Sequence, residues 1–150
     1  MFVELESAKI GRLDVPRPVF RRLAAAPVVE VKVPMAERVR WIRRGYAHFE
    51  DGGAGTDTLR RLLAFCVPTA GKAAVARWNE LVDVGDWDAF VEAMLVDHYD
   101  PGYERARARD RDGAAADAKA PFVVDLPTTT DADADAAAAA ILGRYDRGSP

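Results

Sequence analysis

Three short apolar runs, separated from one another by helical patterns, place the strongest constraint on the fold of this chain. They are residues 2–6 (FVELE), 27–34 (PVVEVKVP) and 121–127 (PFVVDLP). Runs of this length that alternate in polarity or are rich in valine, with prolines at their ends, are typical of β-strands. Strands that alternate with helices normally lie parallel in one sheet. The sequence therefore predicts an α/β fold with about three mainly parallel strands.

Between these runs, apolar residues recur at spacings of three and four, which predicts several amphipathic helices. The predicted apolar faces comprise Val39, Ile42, Tyr46 and Phe49; then Ala74, Val75, Trp78, Leu81 and Val82; then Trp87, Phe90, Val91, Met94, Leu95 and His98. Further helices are predicted over residues 18–26 and 130–145.

Several residues predict where these helices begin and end. Thr56 or Asp57 would cap one helix, and Asp86 would cap another directly after Gly85 in a left-handed conformation. Pro101 would end the helix that contains His98. Residues 104–120 are charged and alanine-rich, and predict a mobile excursion.

The predicted sheet is incomplete. Three strands are few for a parallel sheet, which is normally covered on both faces. The first strand begins almost at Met1, although a strand of this apolar character normally has neighbours on both sides. We therefore expect residues 1–150 to form only part of a domain.

Composition excludes some classes of protein. The chain has 150 residues, a formal net charge of −3 and one cysteine. It contains no run of about 18 apolar residues that would span a membrane, and its acidic N-terminus does not resemble an export signal. We expect a cytoplasmic protein in which any contact with nucleic acid depends on local basic patches.

The hexapeptide HYDPGY, residues 98–103, has residue types that fit a catalytic cluster, a phosphate or nucleic-acid site, or the polar end of a buried helix. His98 continues the apolar face that starts at Trp87, which favours the helix end. We expect no catalytic role for His98.

A second motif, TAGKAAV at residues 69–75, superficially resembles a phosphate-binding loop. The Walker A pattern requires a glycine five residues before Gly71 and a serine or threonine after Lys72. Cys66 and Ala73 occupy those positions, so no Walker A loop is predicted. Cys66 has no neighbouring base or second cysteine, which favours a buried structural thiol.

Two further groups of residues are candidates for binding. Glu6 and Ser7 end the first predicted strand, where α/β folds place ligand-binding groups, although an exposed strand edge, taken alone, explains them better. Lys9 and Arg12 follow and carry the charge that a phosphate requires. No zinc site can be assembled from two histidines and one cysteine.

Arginines are concentrated in the first third of the chain, interleaved with Trp41 and Tyr46. They are Arg17, Arg21, Arg22, Arg38, Arg40, Arg43 and Arg44. A solvated helix surface accounts for such a cluster, and so does an RNA-binding surface.

Several stretches, in order along the chain, resemble the C-terminal half of the bacterial tRNA 2-selenouridine synthase family. The resemblance covers FVELESAKIGRLDVP (2–16), PVVEVKVPMAERV (27–39), YAHF (46–49), GKAAVARWNELVDVGDWDAFVEAML (71–95), HYDPGY (98–103) and FVVDLP (122–127). The most specific pair is ARWNELVDVGDW followed by HYDPGY. The chain departs from the family pattern at Gly45 and Ala106.

The resemblance implies a fold and an activity. The family joins a rhodanese-like domain with a catalytic cysteine to a P-loop NTPase-like domain, and this chain resembles only the later part of the second domain. Family members replace the sulfur of wobble 2-thiouridine in tRNA with selenium from selenophosphate, through a geranylated intermediate formed with geranyl diphosphate. Cys66 does not match the catalytic cysteine.

The resemblance also implies roles for particular residues. Glu6, Ser7, Lys9 and Arg12 would lie near a phosphate or metal, with no metal ligand assigned. Residues at a tRNA or substrate surface would be Arg38, Arg43, Arg44, His98, Tyr99, Tyr103 and Arg105.

Two hypotheses follow. In the first, the chain is a fragment or split subunit of such a synthase, inactive alone, whose partner carries the rhodanese domain and the Walker A loop. In the second, it is a non-enzymatic helical interaction or RNA-binding module derived from the same scaffold.

Overall fold

The fold is α/β and mostly helical. A computed structural model describes residues 2–4, 8–112 and 120–145. The strands are β1 (Lys9–Ile10), β2 (Leu13–Asp14), β3 (Val29–Lys32) and β4 (Phe122–Asp125). The helices are α1 (Arg17–Ala24), α2 (Met35–Tyr46), α3 (Ala54–Ala64), α4 (Val67–Ala70), α5 (Lys72–Asp83), α6 (Trp87–Met94), α7 (Asp100–Asp112) and α8 (Asp131–Tyr145). A 3₁₀ turn at Ala47–Phe49 follows α2, and a π-helical turn at Leu95–Tyr99 joins α6 to α7.

The strands form two small sheets. β3 and β4 pair in parallel, with Val29 opposite Phe122 and Lys32 opposite Asp125, as the sequence predicted for these two runs. Where the sequence predicted a third strand at residues 2–6, residues 2–4 form no strand. Phe2 and Val3 are exposed, and the Phe2 ring meets Tyr145 edge to face; residues 5–7 lie outside the described residues.

Residues 9–14 form a hairpin, which was not predicted from the sequence. β1 and β2 are antiparallel, joined by a two-residue turn in which Gly11 has φ of +60°. A positive φ at the first turn position matches the twist of a tight hairpin. Lys9 and Asp14 face each other across it, 3.1 Å apart, with both side chains largely exposed.

The helical core lies among α2, α3, α5, α6 and the π-helical turn. Its buried residues are Val39, Leu59, Leu63, Val75, Trp78, Val82, Phe90, Val91 and Leu95. Trp78 is 0% exposed, and its indole Nε1 donates to Asp97 Oδ2 at 3.2 Å. Most of the predicted apolar faces are therefore confirmed, while Tyr46 is exposed and Cys66 packs half-buried against the core.

The predicted helix boundaries were partly right. Gly85 has φ of +73°, and the Ala89 N–H donates to Asp86 Oδ1 at 3.1 Å, which confirms both residues in their predicted roles. Thr56 and Asp57 do not cap α3, because that helix begins earlier. The Asp51 carboxylate accepts the backbone N–H groups of Gly53, Gly55 and Thr56 instead.

Pro101 does not end the helix, contrary to the prediction. The Asp100 N–H donates to the Leu95 carbonyl five residues earlier, which closes a π-helical turn. Pro101 then lies in the first turn of α7, the part of a helix in which proline is tolerated best. Residues 104–112, the first part of the predicted excursion 104–120, therefore belong to helix α7. Residues 113–119 lie outside the described residues.

We expect Trp78→Ala to lower the free energy of unfolding by about 3–5 kcal/mol, since it removes a large, fully buried side chain. Trp41→Ala is the matched control, because Trp41 is 58% exposed and its replacement should change stability by less than about 1 kcal/mol. Urea denaturation followed by far-UV circular dichroism measures both values. Equal losses from the two variants would contradict the assignment of the core.

Candidate functional site

An apolar cavity of about 800 Å³ opens between α2, α6, the π-helical turn and the segment that follows β4. Its size is in the range of small-molecule sites. Its lining includes Trp41, Ile42, Phe49, Trp87, Phe90, Met94, Leu95, Tyr99 and Leu126. The cavity therefore suits an apolar or aromatic group, and of the predicted binding residues Arg38, Arg43, His98 and Tyr99 also border it.

Glu37 holds the segment after β4 against α2. It is 8% exposed and lies in the first turn of α2, where the helix dipole favours an acid. Its carboxylate accepts the backbone N–H of Thr129 at 3.4 Å and the Thr129 hydroxyl at 3.5 Å, and it pairs with Arg40. Sequence reasoning missed Glu37, and the available signal was an acid in the first turn of an otherwise arginine-rich helix.

The two arginines at the cavity are already paired. Arg38 donates to both carboxylate oxygens of Asp100, at 2.8 and 2.5 Å. Arg43 donates to both oxygens of Glu50, at 3.0 and 2.7 Å, and to Asp88 at 2.8 Å. These bonds raise the pKa of both guanidinium groups. Because their charges are neutralised locally, neither arginine is available to a phosphate without breaking an ion pair.

Arg44 and Arg105 differ from that pair. Both are exposed, and neither makes an ion pair with any residue in the described part of the chain. Arg44 lies near the end of α2 and Arg105 in the second turn of α7. Of the arginines proposed for a tRNA surface, these two carry the positive charge that remains accessible to solvent.

His98 packs as part of the helical face and is half-buried. Its ring meets Trp78 edge to face, with centroids 6.0 Å apart, and its Nδ1 lies 3.5 Å from the Thr69 hydroxyl. No carboxylate hydrogen-bonds to this ring among the described residues. The geometry gives His98 a packing role at the cavity wall.

Tyr99 and Tyr103 form an exposed aromatic pair. Their rings are nearly parallel, at 8°, with centroids 6.3 Å apart. They are 53% and 48% exposed. Asp100, which directly follows Tyr99, accepts a hydrogen bond from Arg38.

The structure describes only two of the four residues predicted to lie near a phosphate or metal. Glu6 and Ser7 lie outside the described residues. Lys9 pairs with Asp14 in the hairpin, and Arg12 is exposed in its turn. Neither Lys9 nor Arg12 lines the cavity.

Residues 2–4, 8–112 and 120–145 contain no group of three or more histidine, cysteine, aspartate or glutamate side chains that could hold a metal ion. Over the same ranges, no helix has the length and apolar character needed to cross a bilayer.

Two curated relatives are tRNA-modifying enzymes, and both are named tRNA 2-selenouridine synthase. The chain is 29% identical over 126 residues to the protein of Cupriavidus pinatubonensis (strain JMP 134 / LMG 1197), a match that covers 69% of this chain and 34% of that relative. It is 48% identical over 46 residues to the protein of Aeromonas salmonicida (strain A449), which covers 31% of this chain and 12% of that relative.

These matches span about a third or less of each relative's length. Neither a family model nor a solved structure matches the chain. The chain is therefore similar to part of tRNA-modifying enzymes of the transferase type, and its fold is described by its own structure alone.

The ion pair between Arg38 and Asp100 makes stability depend on pH. The hydrogen bonds from Arg38 lower the pKa of Asp100. The contribution of the pair is therefore fully present above the unfolded-state pKa of about 3.9, and is lost as the pH falls through the lower pKa of the folded state.

We expect Asp100→Asn to lower the free energy of unfolding by about 1–2 kcal/mol at pH 7, because a half-buried arginine loses its charged acceptor. The difference from the parent chain should shrink below about pH 4. Asp83→Asn is the control: its pair with Arg60, at 2.5 Å, is more exposed and should contribute less than about 1 kcal/mol. Urea titrations at several pH values measure both, and a pH-independent difference for Asp100→Asn would contradict the assignment.

Proposed function

We propose that this chain is one part of a tRNA 2-selenouridine synthase, which replaces the sulfur of wobble 2-thiouridine with selenium from selenophosphate. The observation that carries the proposal is the similarity to an enzyme of that name over 69% of the chain. The order of matching motifs, through HYDPGY, supports the same assignment. The chain would contribute the later part of a P-loop NTPase-like domain and work in the cytoplasm.

The proposal includes a second polypeptide that carries the rhodanese domain and the Walker A loop. Its physical support is the sheet of β3 and β4. Each of these strands pairs only with the other in the described part of the chain, and parallel sheets are normally larger and covered on both faces. Val31 and Val123 remain 47% and 42% exposed. A partner that adds strands would pair the open edges and cover these side chains.

The apolar cavity is the proposed site for the prenyl chain of geranyl diphosphate, the second small substrate besides selenophosphate. Met94 and Trp87 belong to its wall, and Leu126 reaches it from the segment after β4. Such a wall favours a hydrocarbon chain by excluding water from it. Because Arg38 and Arg43 are already engaged in ion pairs, the diphosphate would be bound by the partner or by accessible cations elsewhere.

A non-enzymatic RNA-binding module is the second candidate. The observation in its favour is that the helical core is formed among α2, α3, α5, α6 and the π-helical turn, with Trp78 fully buried, without a contribution from the sheet. Such a core can present an RNA-binding surface with no catalytic partner.

The two candidates separate in a reconstitution assay. The chain is mixed with the polypeptide that carries the rhodanese domain and the Walker A loop. The mixture also contains geranyl diphosphate, selenophosphate and tRNA with 2-thiouridine. Mass spectrometry of the tRNA nucleosides then measures how much selenium has been incorporated. We expect selenium in the mixture and none with the chain alone. Incorporation by the chain alone, or none in a mixture in which the two polypeptides form a complex, would contradict the proposal.

Two matched variants test the cavity in the same assay. Met94→Glu places a charge in the apolar wall and should abolish incorporation, since it makes hydrocarbon binding unfavourable. Val96→Glu places the same charge two residues away, at a position that is 52% exposed and outside the cavity wall. It should retain activity. Circular dichroism checks that both variants fold, and equal activities would argue against the cavity as the prenyl site.

A further inference from the structure

Tyr99 and Tyr103 are bulky aromatic residues that the fold leaves half exposed. Their rings lie nearly parallel on neighbouring turns of the helix. Neither hydroxyl has a hydrogen-bond partner among the described residues. Exposed aromatic side chains whose polar ends are also free offer both a planar face and a donor to a ligand.

The backbone under these rings is held from two sides. Asp100 lies between the two tyrosines in sequence and receives two bonds from Arg38 on α2. On the other side, His98 packs edge to face on the buried Trp78. The rings are therefore exposed on a support that is already fixed before any ligand binds, which reduces the entropy lost on binding.

The π-helical turn accounts for the exposure of Tyr99. Leu95 is 5% exposed and belongs to the core, and in a regular α-helix the residue four positions later lies on the same face. The wider turn between Leu95 and Tyr99 rotates the following residues about the helix axis. Tyr99 consequently turns from the core to the border of the apolar cavity, where it is half exposed and lies beside Tyr103.

The local charge leaves binding to the rings. The Asp100 carboxylate, which would repel phosphate, is paired with Arg38. Glu104 and Arg105 are both exposed, and neither makes an ion pair within the described chain, so their opposite charges offset each other. Residues two positions apart on a helix do not face one another, so Arg105 does not share the face of Tyr103. Aromatic side chains on which bases stack are a feature of proteins that bind single-stranded nucleic acids.

From this geometry we propose that Tyr99 and Tyr103 form a stacking platform for unpaired nucleotides of RNA. This inference rests on the proposed function, and it specifies which part of an RNA is bound. Bases in a duplex are stacked on one another, so the platform selects single-stranded loops and ends. Stacking adds affinity that is insensitive to salt, whereas affinity from contacts between cations and phosphates falls as salt rises.

The test uses the full chain and two fluorescent RNA probes, a mixed-sequence single strand and the blunt duplex of the same sequence, with binding measured by anisotropy at several salt concentrations. Tyr99→Ala and Tyr103→Ala should each weaken binding of the single strand by about fivefold or more. The salt slope and the affinity for the duplex should not change.

Three controls keep the result specific. Tyr99→Phe and Tyr103→Phe keep the ring and should bind like the parent chain. Phe65→Ala removes another exposed aromatic ring, directly after α3, and should have no effect. Circular dichroism identifies an alanine variant that unfolds, and for such a variant the phenylalanine and leucine replacements, compared with each other, decide whether an aromatic ring is required.

Alanine variants that bind the single strand like the parent chain would overturn the platform, and so would equal losses for single strand and duplex. If the parent chain binds neither probe, the platform is also wrong. Failure of selenium incorporation in the reconstituted mixture, with the single-strand preference intact, would contradict the proposed enzymatic function and leave the platform standing.

Discussion

The burial of Trp78 is the interaction on which the rest of the structure depends. Its ring is fully enclosed by the helical core, so its N–H requires an internal acceptor. Asp97 supplies that acceptor and also pairs with Arg77, while His98 packs on the indole ring. Both residues belong to the π-helical turn. The core therefore determines where this turn lies, and through it the positions of Tyr99 and Asp100.

Ion pairs extend this framework to α2 and α7. Arg38 connects Asp100 to α2, and Arg43 connects α2 to Glu50 and Asp88. Arg107 of α7 reaches Glu30 of β3 at 2.8 Å. Most of the arginines at the candidate site thus hold elements together. Ligand binding is left to the apolar cavity, the exposed tyrosines and the few cations that are not engaged.

The small sheet is the incomplete part of the fold. Val29, Val31, Phe122 and Val124 share one face of β3 and β4, and the opposite face carries Glu30, Lys32, Val123 and Asp125. Val124 is buried while its neighbour Val31 is half exposed, so the apolar face is covered only in part. This uneven coverage is the structural reason for proposing a partner chain.

Local features of the fold could be predicted from the sequence. Helical spacing identified the core faces around Trp78 and Phe90, and the Gly85–Asp86 pair identified a helix boundary, because both signals lie within a few residues. The hairpin at Lys9–Asp14 was missed although its turn contains Gly11. Pro101 was wrongly predicted to end the helix. The helix continues past it through a π-helical turn, which has no simple sequence signature.

The candidate site was less predictable for a different reason. Arg38 and Asp100 are 62 residues apart in the chain, and Arg43 and Asp88 are 45 apart. Their pairing depends on how α2 packs against α6 and α7, so a list of arginines could not show which cations are neutralised. The cavity likewise exists only after α2, α6 and the segment following β4 come together.

Hydrogen exchange of backbone amides tests the central claim most directly, namely that the core positions the π-helical turn independently of the small sheet. We predict that amides of α5, α6 and Leu95–Tyr99 exchange only with global unfolding, while those of β3 and β4 exchange faster by local opening. Exchange of the π-helical turn as fast as the sheet would contradict the account, because the core would then not hold the candidate site in place.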